Sequence, residues 1–417
     1  MLRQAGGTIA ARIITTAMAL LVSVVAGHRL GVEGLGTIGL VMLGVSLLAL
    51  GAGALGGGVL VYLVPRVPLP RLLLPAYAWA AACSMAGWGL LHGLPLVPAG
   101  YEVHVAGLAF LQAGWSIQTG ALMGRERIAA YNLVDGLRAV LLLGFFFALS
   151  MRPDPTPMDY VHAAWAAYAL GLLASILALG RSKAPALPAP GSALRLMLQQ
   201  GLLVAGANGL QLLLYRLGYW LIERFRGIQV LGLYVVANQL AEGAWMVPRS
   251  LAVVLYSKVS NTSGQAEQRR ITLDILKLCM ASATGALLLL LAVPETWFSV
   301  VFGPEVSGIR PLVALLAPGI LALAASQAFS HFFSGTARNK HNVIASGLGL
   351  AAMAVCGFSL VPQLGLVGAA FSASVAYLLA AGYQTWVFMR ITGTAFRGFW
   401  PRREDLRRIR GLLRTKR

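Results

Sequence analysis

The apolar residues of this chain come in blocks of about 20, the length that crosses a bilayer as an α-helix. A water-soluble helix shows instead an apolar stripe at helical spacing, interrupted by its polar face. Twelve blocks lie between polar breaks, near residues 8–27, 37–63, 72–94, 103–123, 132–151, 159–179, 199–222, 229–255, 271–293, 311–334, 343–361 and 366–389. The 417 residues are 58% hydrophobic and only 11% charged, against about 25% charged in soluble globular chains. These features predict an all-α integral membrane protein of about 12 transmembrane helices. The second and eighth blocks exceed what a bilayer needs and are expected to tilt or bend. The first block has no small-residue cleavage site followed by a soluble domain, so it reads as a retained anchor.

Cytoplasmic loops are enriched in Lys and Arg. With the N-terminus inside, and the C-terminal tail set aside, thirteen basic residues fall in inward segments. Five fall in outward ones: Arg29, Arg152, Arg224, Arg226 and Arg310. Both termini are therefore expected in the cytoplasm. The segment ERFRG (223–227) reads as an outward loop that runs against the rule, with two arginines.

The longest polar break, RSKAPALPAPGSALR (181–195), is rich in Pro and Ala without periodicity and reads as a linker. The predicted organisation is an N-terminal six-helix bundle over 1–180, a cytoplasmic linker over 181–198, a C-terminal six-helix bundle over 199–389 and a basic tail over 390–417. Six spans per half insert both halves in the same sense, as in parallel transporter repeats. Weak internal echoes agree: LGTIGLVMLGVSLLALG (35–51) with LGLYVVANQLAEGAW (231–245), and GRERIAAYN (124–132) with GTARNKHN (335–342). The tail carries ten basic residues, with Leu406, Ile409, Leu412 and Leu413 at helical spacing. That pattern suits a helix lying on an anionic lipid leaflet. It offers no aromatic platform for nucleic acid, and no nucleic-acid partner is expected.

Cys83, Cys279 and Cys356 lie inside apolar blocks without metal spacing, and the six histidines do not pair as ligands. No cofactor, metal site or catalytic constellation is expected. Glycine is abundant, at 48 residues, and small residues let membrane helices approach closely. The run GAGALGGG (51–58) fits close packing or a bend; no GK[ST] follows that would make it a phosphate loop.

Charged residues inside the blocks carry the functional signal, because each is costly there. Arg216 sits in LQLLLYRLGYWLIERF (210–225). It either faces a cavity or snorkels to the outer interface. Arg12, near the inner end of the first block, has the same two options. Asp135 with Arg138, and Asp274 with Lys277, are spaced three apart, the spacing of structural ion pairs on one helix face. Arg249 is close enough to the inner end of its block to reach the interface. Glu242 falls mid-block, where a carboxylate needs a partner or a proton. It is a candidate counter-ion for Arg216 or a coupling site. The two lie about 10 Å apart in depth if the seventh block ends at 222.

Four stretches resemble one family. HRLGVEGLGTIG (28–39) holds an LG-x-E-x-[YL]-G turn into the second span, and GLYVVANQLAEGAWMVPRSLAVVLYSKVS (232–260) resembles an eighth helix with its proline. FGPEVSGIRPLVALLAPG (302–319) resembles the loop into helix ten, and LVPQLGLVGAAFSASVAYLLAAGYQTW (360–386) the start of helix twelve. In order and spacing these are similar to Wzx-type O-antigen flippases of the multidrug/oligosaccharidyl-lipid/polysaccharide (MOP) exporter superfamily. The resemblance implies two six-helix bundles around a central cavity. It also implies translocation of undecaprenyl-pyrophosphate-linked oligosaccharide across the bacterial inner membrane, with cationic cavity residues facing the anionic substrate. Arg216 and Arg12 are the candidates for that role. Many relatives carry an Arg-x-Asp pair in helix seven, whereas Gly218 stands two residues after Arg216 here. The family implies a monomer and a polysaccharide polymerase as partner.

Two alternatives stay open. A drug antiporter of the same superfamily favours acidic residues for cationic substrates, but the charge inside the blocks is net basic: Arg12, Arg138, Arg216, Arg249 and Lys277 against Asp135, Glu242 and Asp274. A membrane ligase or polymerase needs a sizeable outward loop, and the longest here is 294–310.

Overall fold

The computed structural model describes residues 2–65, 67–94, 96–180, 193–260, 262, 264–336 and 338–400. The expected amphipathic tail helix lies outside them, as does the expected linker up to residue 192. Residues 193–198 already belong to a helix.

Among the described residues the chain is all-helical. In order it forms α1 (Leu2–Ala52), α2 (Gly57–Leu63), α3 (Leu69–Gly93), α4 (Glu102–Gly124), α5 (Ile128–Ser150), α6 (Pro157–Leu179) and α7 (Ala193–Arg226). Then follow α8 (Ile228–Ala244), α9 (Met246–Ser260), α10 (Gln265–Ala292), α11 (Glu295–Phe302), α12 (Ile309–Gly335), α13 (Lys340–Leu364) and α14 (Leu366–Thr392). A 3-10 turn over Phe396–Phe399 ends the described chain. All twelve apolar blocks fall on these helices. Among the described residues seven helices are long and apolar enough to cross a membrane, or eight where the bent pair α8–α9 counts as one span. α3, α4, with Gln112, Gln118 and Thr119, and α7, with Gln199, Asn208 and Gln211, are not among them.

The two over-long blocks are both broken. α1 contains the first block and most of the second, kinked at Gly31 (φ 65°, ψ −169°), a conformation open to glycine. The second block continues through a turn at residues 53–56 into α2. The eighth bends by 43° between α8 and α9. Pro248 explains that bend, since it cannot donate to the carbonyl of Ala244 four residues back.

Two compact units form, one within Met1–Leu212, Gly227–Val235 and Phe298–Ser307, the other within Leu213–Arg226, Val236–Trp297 and Gly308–Arg417. The first unit has a core of Leu60, Leu63, Leu72, Ile117 and Leu122 from α2, α3 and α4. Glycines bring its backbones together. A methyl group added at Gly36 would strike the carbonyl of Ile228, and one at Gly232 would strike that of Val32. The second unit is built on aromatic packing: Phe388 lies 5.0 Å from Phe332 and 5.2 Å from Phe329, beside Leu255 and Cys279.

Helix ends leave backbone groups without an intrahelical partner, and charged side chains cap several of them. Glu305 accepts from Val32 N–H at 3.0 Å, just past the Gly31 kink. Glu295 accepts from Ile309 and Arg310 at the start of α12, at 2.8 and 3.0 Å. Arg29 donates to the carbonyls of Ser150 and Arg152. Arg125 and Arg127 donate to Leu179 and Ala178 at the end of α6. Arg226 donates to Val361, Pro362 and Gln363 near the end of α13. This accounts for one of the two arginines in ERFRG. That segment is the last turn of α7 and not a loop as the sequence suggested; only Gly227, at φ 85°, separates α7 from α8.

Candidate functional site

The second unit brings Arg216 and Glu242 together. Arg216 Nη1 lies 3.2 Å from Glu242 Oε1, and Nη2 donates to Oε2 at 3.3 Å. The planar guanidinium thus meets the carboxylate with two parallel contacts. The 10 Å depth gap expected from sequence closes because α7 runs to Arg226. Arg216 stands ten residues before that end, and Glu242 fourteen after the start of α8. The remaining four residues amount to about 6 Å of rise, within reach of two long side chains.

Two further polar groups complete the network. Arg216 Nη1 donates to Tyr219 Oη at 2.7 Å, one turn along α7. Asn238 Nδ2 donates to Glu242 Oε1 at 2.8 Å and to Tyr219 Oη at 3.2 Å. Sequence reasoning missed both, though the signal was there: Tyr219 is three residues after Arg216, and Asn238 is four before Glu242. Tyr215 flanks the network, 5.9 Å from Trp245 and 5.7 Å from Tyr377, ring centroid to centroid. Tyr219, Asn238, Trp245 and Tyr377 are buried. The ion pair is not: its side chains keep 28% and 30% of their surface accessible. The α8–α9 bend comes just after Glu242, where Trp245 N–H bonds back to the Glu242 carbonyl at 3.2 Å.

The other candidates are placed elsewhere. Arg138 Nη2 sits 3.4 Å from Asp135 Oδ1 in the first unit, and its guanidinium also lies over Trp115 at 4.7 Å and Tyr168 at 5.0 Å. This is the environment of a structural cation held by aromatic faces. Asp274 is buried on α10, with Lys277 half-buried a turn later. Arg249 lies over Trp245 at 5.9 Å. Arg12 is half-buried in α1 of the first unit. Among the described residues no cluster of three or more His, Cys, Asp or Glu could hold a metal ion.

The guanidinium is partly accessible and is paired with a single carboxylate among the described residues. Its planar fork of donors matches the oxygens of a carboxylate, as here, and equally those of a phosphate.

No protein-family model and no curated protein matches the sequence. Solved structures do match. The fold is similar to lipid II flippase MurJ in an inward closed conformation, with a TM-score of 0.73 at 12% identity, over 94% of this chain and 88% of that one. It is similar to the MATE multidrug transporter DinF-BH in complex with R6G, with a TM-score of 0.69 at 14% identity over 96% of both chains. A MATE-family multidrug resistance transporter of the MOP superfamily, inward-facing, gives 0.66 at 15% identity, over 91% of this chain and 95% of that one. The chain has the all-helical membrane fold shared by these MATE transporters and MurJ.

Proposed function

We propose that the protein is a flippase that carries undecaprenyl-pyrophosphate-linked oligosaccharide from the cytoplasmic to the periplasmic leaflet by alternating access, for surface polysaccharide synthesis. The observation that carries this reading is the accessible Arg216–Glu242 pair. A pyrophosphate can replace Glu242 on Arg216, and its charge offsets the cost of holding a cation at that depth. The net basic charge of the spans and the motif resemblance point the same way. The protein then resides in the bacterial inner membrane with both termini cytoplasmic, as a monomer working beside a polysaccharide polymerase, with its basic tail on anionic lipids.

Proteoliposomes test it. Flipping of an undecaprenyl-pyrophosphate-linked sugar, read by its accessibility to external periodate, is the expected result, with no uptake of R6G. The second reading, a drug antiporter, is favoured by Glu242 and the aromatic wall of Tyr215, Trp245 and Tyr377, which suit a flat cation. R6G uptake without lipid flipping would establish that reading instead.

Glu242→Gln removes the charge and one of the two acceptor oxygens, and keeps the side chain's size and one acceptor for Asn238 or Arg216. The counter-ion role predicts a loss of flipping of only a few-fold, with an unchanged pH profile. Near-complete loss, together with a flattened pH profile, would mean that Glu242 carries protons. The topology is checked by reporter fusions at Ser182 and after Arg417. Both should report from the cytoplasm, and a periplasmic signal from either overturns the orientation.

A further inference from the structure

The bonds around Arg216 are of two kinds. Two run within a helix and are short. Arg216 Nη1 donates to Tyr219 Oη on α7 at 2.7 Å, and Asn238 Nδ2 donates to Glu242 Oε1 on α8 at 2.8 Å. Three run between the helices and are longer. Arg216 meets Glu242 at 3.2 and 3.3 Å, and Asn238 Nδ2 donates to Tyr219 Oη at 3.2 Å. A guanidinium and a carboxylate in tight contact stand about 2.7–2.9 Å apart, so the charged pair is slack. All four residues belong to the second unit. The weak plane of the network lies between α7 and α8, and each helix carries its own tight pair.

We propose that Tyr219 is a positioning residue for anion binding: its hydroxyl holds the Arg216 guanidinium from the same helix while an incoming phosphate group takes the place of Glu242. This rests on the proposed function for the identity of the anion, and on the two kinds of bond for the role of Tyr219. Without that hydroxyl, Glu242 is the remaining hydrogen-bond partner of the guanidinium among the described residues, and it is the partner that leaves. An arginine released in this way regains its rotamer freedom, and the anion must then remove it. Tyr219 is buried and one turn along the same helix, so its hold does not depend on α8. Asn238 does the same for the displaced carboxylate. It stays bonded to Glu242 from one turn back on α8, so the charge keeps a donor after the exchange.

The test titrates full-length protein in nanodiscs with undecaprenyl pyrophosphate. Tyr219→Phe removes only the hydroxyl. The ring keeps its cation–π contact, since the Arg216 guanidinium lies over it at 5.0 Å. Neither donor is orphaned, because Arg216 and Asn238 both retain Glu242. The ligand-free melting temperature should stay within about 3 °C of wild type, while binding weakens about tenfold. A merely structural Tyr219 would give the reverse, a lowered melting temperature with unchanged affinity per folded molecule. Glu242→Asp separates contact from charge. Aspartate keeps the charge but is one methylene short of contacts already at 3.2 and 3.3 Å. It should tighten binding several-fold, because the anion no longer has to open a closed pair. In the Glu242→Asp background, Tyr219→Phe should still weaken binding about tenfold, since the hydroxyl acts on Arg216 directly.

Wild-type affinity of Tyr219→Phe overturns the positioning role, and so does a loss that vanishes in the Glu242→Asp background. Wild-type affinity of Glu242→Asp shows that the anion does not displace Glu242, which overturns the exchange and the role with it. If wild-type protein binds the lipid and Arg216→Met/Glu242→Leu does not, the proposed function survives each of these failures. No binding by wild-type protein overturns both.

Discussion

Arg216→Ala is expected to abolish lipid flipping and to lower stability at the same time. The stability loss follows from the pairing: Glu242 would lose its cation and keep Asn238 as a donor, in a largely apolar setting. Removing one partner of such a pair costs about 3 kcal/mol, at the lower end because the pair is partly accessible. Loss of transport in the single mutant is therefore ambiguous by itself, and the double mutant Arg216→Met/Glu242→Leu resolves it. Two apolar residues of similar volume remove the unpaired charge, so protein level and monodispersity should return to near wild type. Flipping should not return, because the anion-binding fork is gone. Arg216→Lys should rescue only partly, since it keeps a point charge and loses the planar donors. Wild-type flipping by the double mutant, measured per molecule, would show that Arg216 is a structural cation and sink its substrate role.

The second large effect is on folding. Gly36 and Gly232 form a reciprocal contact within the first unit, each Cα set against a backbone carbonyl of the other segment, and Gly39 packs on Val235 alongside. A side chain at Gly232 meets backbone, which cannot rotate away. Gly232→Leu should therefore cost more than the 1–3 kcal/mol typical of overpacking, and should abolish monodisperse protein by fluorescence-detected size exclusion. Gly243→Ala is the contrast, in the same helix but with open space where its Cβ would go. It should be neutral or slightly stabilising, because Ala is the better helix former. Equal behaviour of the two variants would refute the close-approach account.

Much of the fold was legible because membrane burial writes itself into one dimension. An apolar block of bilayer length has few other stable solutions than a helix, and all twelve blocks fall on helices. The two breaks were legible as excess length, with Pro248 and the GAGALGGG run as local causes. The candidate pair was legible as two costly charges. What misled was ERFRG: its charges suggested a loop, yet it is helical, with Arg226 bonded to the carbonyls near the end of α13. Charge density marks exposure to water or a partner, and the partner lies 135 to 137 residues away in the chain.

The sequence by itself determined the membrane as solvent, the helical state of the apolar blocks and the cost of placing Arg216 and Glu242 where they are. Each follows from local composition against the dielectric of a bilayer. Only the tertiary structure decided that the two charges meet with both oxygens engaged, that Tyr219 and Asn238 complete their network, and that Gly36 and Gly232 each approach a backbone carbonyl of the opposite segment. Those facts depend on how far α7 runs before Gly227 turns the chain, and on which carbonyls a glycine lets a neighbour approach. They are differences of a few ångströms, set by packing among residues distant in the chain, to which local composition is blind.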